Sequence, residues 1–136
     1  MFTSLGRTDR RRLCIFYSDR LLSDVWTPHP VNEQRLYEDR PFTGGRGAGP
    51  FIERDGTLLR PAQDNPHYYG ESLVLNEVRV LSEDRFEEVP TRRMPYHHLC
   101  EADGVTVVDF RDRTAPFPLR RAAGRAPEAA CDDDDD

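Results

Sequence analysis

Apolar residues along this 136-residue chain fall in short runs broken by Gly, Pro, Asn and Asp, and no stretch repeats with the period of an amphipathic helix. The pattern predicts strands. Leu13-Cys14-Ile15-Phe16-Tyr17 is apolar without a break and starts a strand over 13–18, buried on both faces. Residues 51–53 and 57–60 flank Asp55-Gly56 as a hairpin, and 96–101 with 105–110 flank Asp103-Gly104 as another. The longest strand candidate is 72–81, with 85–89 following as an edge strand.

The segments between these runs lack an apolar face. Residues 1–12 are polar and arginine-rich, a flexible lead-in. Trp26-Thr27-Pro28-His29-Pro30 excludes helix and central strand through its two prolines. Residues 31–49 form a connector, loosest at Gly44-Gly45-Arg46-Gly47, with a short helical turn expected around 33–36. Asn65-Pro66 and Tyr69-Gly70 mark 64–70 as a loop. Residues 114–136, rich in Pro, Ala, Arg and Asp, cannot bury a face and are expected to be disordered. The class is all-β, with the folded domain over 13–113.

The two hairpins share a phrase. Glu53-Arg54-Asp55-Gly56-Thr57-Leu58-Leu59 returns as Glu101-Ala102-Asp103-Gly104-Val105-Thr106-Val107, 48 positions later. Blades of β-propellers repeat every roughly 40–50 residues, so the spacing points to a propeller unit. A second echo links Arg20-Leu21-Leu22-Ser23-Asp24 with Arg79-Val80-Leu81-Ser82-Glu83, each after a strand-like run and each followed by an aromatic, Trp26 or Phe86. Its longer offset of 59 is absorbed by the connector between Pro28 and Pro50. Two unrelated hairpins would also account for the echoes.

Composition narrows the function. The net charge of −6 comes mostly from Asp132 to Asp136, leaving a nearly neutral body with no electrostatic case for nucleic acid or an anionic membrane. All 19 basic residues are arginine, which suits either a GC-rich coding sequence or planar recognition of carboxylate and phosphate. Cys14, Cys100 and Cys131 have neither Cys-x-x-Cys nor zinc-site spacing, and an odd count fits a reduced, cytoplasmic protein. No signal-peptide core or membrane-length apolar run occurs. Neither a metal nor a cofactor is called for.

Arg60-Pro61-Ala62-Gln63-Asp64, running into Tyr68-Tyr69-Gly70-Glu71, is the densest mix of chemistry. Guanidinium, amide, carboxylate and aromatic face are the groups that hold a sugar, so Arg60, Gln63, Asp64, Tyr69 and Glu71 are candidate ligand contacts. The structural alternative pairs Arg60 with Asp64 and has Gln63 cap a strand end. Asp64 and Glu71 are also weak candidates for the two carboxylates of a glycosidase. His97 and His98 alternate in direction on a strand, so one ring alone can turn inward; His98 is taken as the site residue. Gly44-Gly45-Arg46-Gly47-Ala48-Gly49 lacks the Gly-Lys-Ser/Thr ending of a phosphate loop, and the terminal aspartates read as a solvated tail.

These residues resemble a known family. Phe16-Tyr17-Ser18-Asp19 with Trp26-Thr27-Pro28-His29-Pro30-Val31-Asn32 is one match. Arg40-Pro41, Gly47-Ala48-Gly49-Pro50-Phe51 and Asp55-Gly56-Thr57-Leu58-Leu59-Arg60-Pro61-Ala62-Gln63-Asp64 form a more specific one. Tyr69-Gly70-Glu71-Ser72-Leu73-Val74-Leu75, His97-His98-Leu99, Asp103-Gly104 and Val108-Asp109 complete the set. Over about 13–110 the chain resembles the N-terminal domain of glucosamine inositolphosphorylceramide transferase and its bacterial relatives. The resemblance implies a five-bladed, glycosidase-like propeller, of which this chain would supply the C-terminal two to three blades, and a role associated with glycosyl transfer.

Three readings follow. The chain binds a carbohydrate or glycoconjugate as part of a truncated propeller. Alternatively it is a glycoside hydrolase completed by a partner chain, or an inactive remnant. Open sheet edges make a partner chain or self-association part of the expectation.

Overall fold

The computed structural model describes residues 1–7 and 10–111. The described residues form ten strands and one 3-10 helix, an all-β fold as expected. β1 (Phe2–Arg7), β2 (Arg10–Tyr17) and β3 (Thr27–Pro28) form a three-stranded antiparallel sheet, followed by the 3-10 helix at Pro30–Gln34. β4 (Thr43–Gly47), β5 (Ile52–Arg54), β6 (Thr57–Asp64), β7 (Leu73–Leu81) and β8 (Phe86–Met94) form the central sheet. β9 (His98–Ala102) and β10 (Val105–Asp109) pair as a two-stranded sheet.

Both Asp-Gly pairs make the expected hairpin turns. Asp55 and Gly56 have φ of 52° and 73°, and Asp103 and Gly104 have 51° and 75°. Positive φ at both central residues is the twist-matched turn of a two-residue hairpin. It joins Arg54 to Thr57 and Ala102 to Val105. The second echo is one of turns rather than strands: Ser23 and Ser82 each accept a backbone N–H, from Val25 and Arg85, both at 3.1 Å. Leu21 and Leu22 are exposed, whereas Val80 and Leu81 lie in β7.

The central sheet contributes to two cores. Leu73 and Leu75 join Ala48, Ile52 and Leu99 in one core, with Leu59, Met94 and Val108 packed against it. Phe86 joins Leu13, Ile15 and Val31 in another, with Phe2, Tyr37 and Val78 beside it.

Five expectations need correction. Residues 1–7 and 10–12 are not a loose lead-in but a hairpin, because Phe2 is held edge-on against Phe51 and Phe86, at 4.7 and 5.5 Å between ring centroids. The glycine run is strand β4 rather than the loosest part of a connector. Glycine is needed there for room: a Cβ on Gly45 would lie 1.9 Å from Arg11 O, and one on Gly44 2.2 Å from the Tyr37 ring. β6 continues through Pro61 because Ala48 N–H donates to Pro61 O at 3.0 Å, which puts the missing proline N–H at the gap between β4 and β5. β8 runs on to Met94, with Pro90 opposite Asn76 at a register shift. Pro30, expected to exclude helix, stands at the start of the 3-10 helix, where its missing N–H costs nothing. The tail at 114–136 lies outside the described residues.

Candidate functional site

Alternation along β6 sends Arg60 and Asp64 to one face and Gln63 to the other, so the Arg-Pro-Ala-Gln-Asp stretch builds two clusters. Arg60 is 2% exposed and Glu88 4%. Arg60 Nε donates to Glu88 Oε2 at 2.7 Å, and Nη2 donates to Glu88 Oε1 at 2.6 Å and Gly44 O at 3.0 Å. Tyr37 Oη donates to Glu88 Oε1 at 2.5 Å, with its ring 5.8 Å from the guanidinium carbon. Burial, reinforced by the Glu88 charge, pushes the Tyr37 hydroxyl up to about 12. Arg60 is therefore a buried tie across the sheet. It pairs with Glu88 and not with Asp64.

Asp64 and Glu71 do come together, through an arginine that the sequence did not single out. Arg93 Nε lies 2.8 Å from Asp64 Oδ2 and Nη2 lies 3.4 Å from Glu71 Oε1. Thr43 Oγ1 donates to Asp64 Oδ1 at 3.1 Å. His67 N–H donates to Glu71 Oε2 at 2.9 Å, and the His67 ring nitrogen Nδ1 is 3.0 Å from Oε1. These hydrogen bonds, led by the His67 side chain, hold the Glu71 carboxyl below the usual range. A general acid needs the opposite, a raised value. Glu71 is thus tied as a carboxylate, and it shares Arg93 with Asp64.

Gln63 begins a second network. Gln63 Nε2 is 3.0 Å from His97 Nε2, His97 Nδ1 is 3.1 Å from Asp109 Oδ2, and Asn65 Nδ2 donates to Gln63 Oε1 at 3.3 Å. Asn65 Oδ1 accepts from the Gly70 and Glu71 amides at 3.1 and 3.0 Å, which sets the orientation of its amide. One direction of donation satisfies every pair: Asn65 donates to Gln63, Gln63 donates to His97 Nε2, and His97 Nδ1–H donates to Asp109. The inward ring is His97, not His98, which is exposed. Leu99 decides this, since its burial in the core turns His98 outward.

Tyr69 packs edge-on against His97 at 4.7 Å, and the Arg46 guanidinium lies 5.6 Å from its centroid. A cleft of about 170 Å³ opens here, lined by Phe42, Thr43, Arg46, Gln63, Asn65 and Tyr69 among others. Phe42 and Tyr69 are 44% and 50% exposed in it, while Gln63 and Asn65 are buried. Of the residues expected from sequence, the cleft brings together Gln63 and Tyr69. Asp64 and Glu71 sit beside it on Arg93, and Arg60 and His98 lie away from it. Phe42, Arg46 and Asn65 were missed, hidden in segments read as connector and loop.

The fold and this cleft define an all-β domain of antiparallel sheets with a small aromatic- and amide-lined opening. The chain belongs to the family described as glucosamine inositolphosphorylceramide transferase 1, N-terminal, whose model matches residues 1–99. It is 32% identical over 87 residues to glucosamine inositolphosphorylceramide transferase 1 of Arabidopsis thaliana, covering 64% of this chain and 11% of the relative. It is 29% identical over 112 residues to the protein of that name from Oryza sativa subsp. japonica, covering 72% of this chain and 15% of the relative. The chain thus spans a small fraction of the curated relatives it matches. No solved structure matches it. Among the described residues, no helix is long and apolar enough to cross a membrane.

Proposed function

We propose that the chain is a glycoconjugate-binding part of a propeller-type domain that serves glycosyl transfer. The observation that carries the binding reading is the pairing of two exposed rings, Phe42 and Tyr69, with the buried amides of Gln63 and Asn65 in one cleft. Rings cover the C–H face of a sugar and amides take its hydroxyls. Family membership supplies the link to glycosyl transfer.

The propeller reading draws support from the central sheet: with β5 paired to β6 off its main path, the order β4-β6-β7-β8 is an antiparallel meander, the form a propeller blade takes. β9–β10 stands where the opening hairpin of a next blade would be, 48 positions after β5–β6, and Arg54 reaches Glu101 at 2.6 Å between the two hairpins. The glycosidase reading has less behind it, because Asp64 and Glu71 share Arg93 and neither carries the environment of an acid.

Titration of the ¹⁵N-labelled chain with glucosamine, N-acetylglucosamine, glucose and galactose tests the binding reading. At least one sugar should shift the side-chain amide signals of Gln63 and Asn65. Tyr69→Ala should weaken that sugar about tenfold, or ~1.4 kcal/mol, with the fold retained. No shift with any sugar, or an affinity unchanged by Tyr69→Ala, would overturn it.

A further inference from the structure

The hydrogen-bond chain beside the cleft has one fixed end and one that can titrate. Asn65 is the fixed end. Its backbone N–H donates to Phe42 O at 3.1 Å, and its side-chain Oδ1 takes the Gly70 and Glu71 amides. Turning that side chain over would forfeit both bonds and set an NH2 group against two N–H donors. The loop is packed where Asn65 holds it: a Cβ on Gly70 would lie 3.2 Å from Arg111 Cβ and 3.8 Å from His97 Cδ2. Asn65 Nδ2 therefore faces Gln63, and Gln63 meets it with Oε1.

His97 is the titratable end. With Oε1 given to Asn65, Gln63 Nε2 points at His97 Nε2, which accepts only while that nitrogen carries no hydrogen. The neutral ring with its hydrogen on Nδ1, donated to Asp109, is the state that fits. An imidazolium has a hydrogen on both nitrogens. Its Nε2–H would meet the Gln63 NH2 group 3.0 Å away, donor against donor. Turning Gln63 over repairs that contact and breaks the next, setting Gln63 Nε2 against Asn65 Nδ2. Both amides are buried, so the conflict displaces them. Asp109 is the anion at the ring. The other charged and titratable groups about it are Arg111, the Tyr69 hydroxyl and, across the Tyr69 ring, Arg46.

We infer that His97 is a proton switch on the cleft: the neutral ring holds Gln63 and Asn65 in the arrangement that meets a ligand, and the imidazolium undoes it. The inference concerns regulation of the cleft and rests on the binding reading proposed above, but the switch is also readable without a ligand. Tyr69 packs on the same ring, so two amides and an aromatic that line the cleft answer to one proton. Imidazole is the side chain whose ordinary titration falls between about pH 5 and 8. His97 acts through Gln63 and is a positioning residue.

NMR of the full chain tests the switch. At pH 8 the ring nitrogens of His97 should report the Nδ1–H tautomer. As the pH is lowered to 5, the Gln63 and Asn65 side-chain amide signals should follow the His97 protonation curve. A sugar bound at pH 8 should weaken at least about tenfold over that range. His97→Gln, whose carbonyl accepts from Gln63 at any pH, should keep the affinity at pH 8 and abolish the fall, with circular dichroism showing it folded. His67→Gln and His98→Gln, at exposed positions, should leave the fall in place. An Nε2–H tautomer at pH 8, or amide signals indifferent to His97 protonation, overturns the switch whether or not a sugar binds. An affinity that still falls with pH in folded His97→Gln overturns it too. Amides that follow His97 with no sugar bound at either pH uphold the switch and overturn the binding reading alone.

Discussion

Strand β6 holds a buried polar cluster on one face and an open one on the other, only three residues apart. Around Arg60 every polar group is spent within the protein: the guanidinium on Glu88 and Gly44 O, the Glu88 carboxylate on Arg60 and Tyr37. Around Gln63 the hydrogen bonds run outward, through His97 to Asp109, whose side chain is 68% exposed. Phe42 and Tyr69 stand open beside that chain. Residue type does not separate these roles, since each cluster holds a carboxylate, a tyrosine and an arginine. Access to solvent does, and it is set by which neighbour covers each face of the strand.

The largest test of that contrast is to remove one carboxylate from each side. Glu88→Ala leaves the Arg60 charge buried without a carboxylate, beside Gly44 O and Tyr37, and should cost about 3–5 kcal/mol. Asp109→Ala removes an exposed partner of His97 and should cost less than about 1 kcal/mol. Urea unfolding of the two variants beside the parent decides it. Equal losses would mean that the two faces do not differ in the way described.

A smaller effect sharpens the buried side. Tyr37→Phe removes one hydrogen bond to Glu88 but leaves the bidentate ion pair, for a loss of about 1 kcal/mol. It also changes the alkaline limb. The folded protein holds the Tyr37 proton up to about 12, above its ordinary value of 10. The neutral hydroxyl's contribution is therefore complete below pH 10 and is lost as pH rises toward 12. Stability of the parent should fall through that window more steeply than that of Tyr37→Phe, read as urea midpoints at successive pH values.

The hairpins were legible because their cause is local: Asp-Gly supplies two positive φ angles whatever surrounds it. The interior of the site was not, because distant chain decides it. Gly44 and Gly45 look like a loose loop until Tyr37 and the Arg11 carbonyl are set against them. Arg60 looks like a ligand contact until Glu88, 28 positions on, is brought over it by the β6–β7–β8 pairing. Gln63 and Tyr69 do meet at the cleft, Gln63 buried at the end of β6 and Tyr69 exposed on the loop that follows. The histidine could have been chosen correctly, for Leu99 is a core residue by type and its parity sends His97 inward and His98 out.

The smallest expected effect bears on catalysis. Glu71 is tied mainly by His67, an exposed histidine, and its carboxyl titrates below the ordinary 4.5. The folded state thus releases that proton more readily than the unfolded one. The stabilisation is present above 4.5 and disappears as pH falls through the lower folded value. His67→Ala should move the Glu71 midpoint back up toward 4.5, followed by the side-chain carboxyl carbon in an NMR titration, while Phe42 and Tyr69 signals stay put. A proton donor to a glycosidic oxygen requires the reverse, a carboxyl held protonated near neutrality. Were Glu71 found to titrate well above 4.5, the clamp on Arg93 would be the wrong description and Asp64 with Glu71 would regain their place as an acid–base pair.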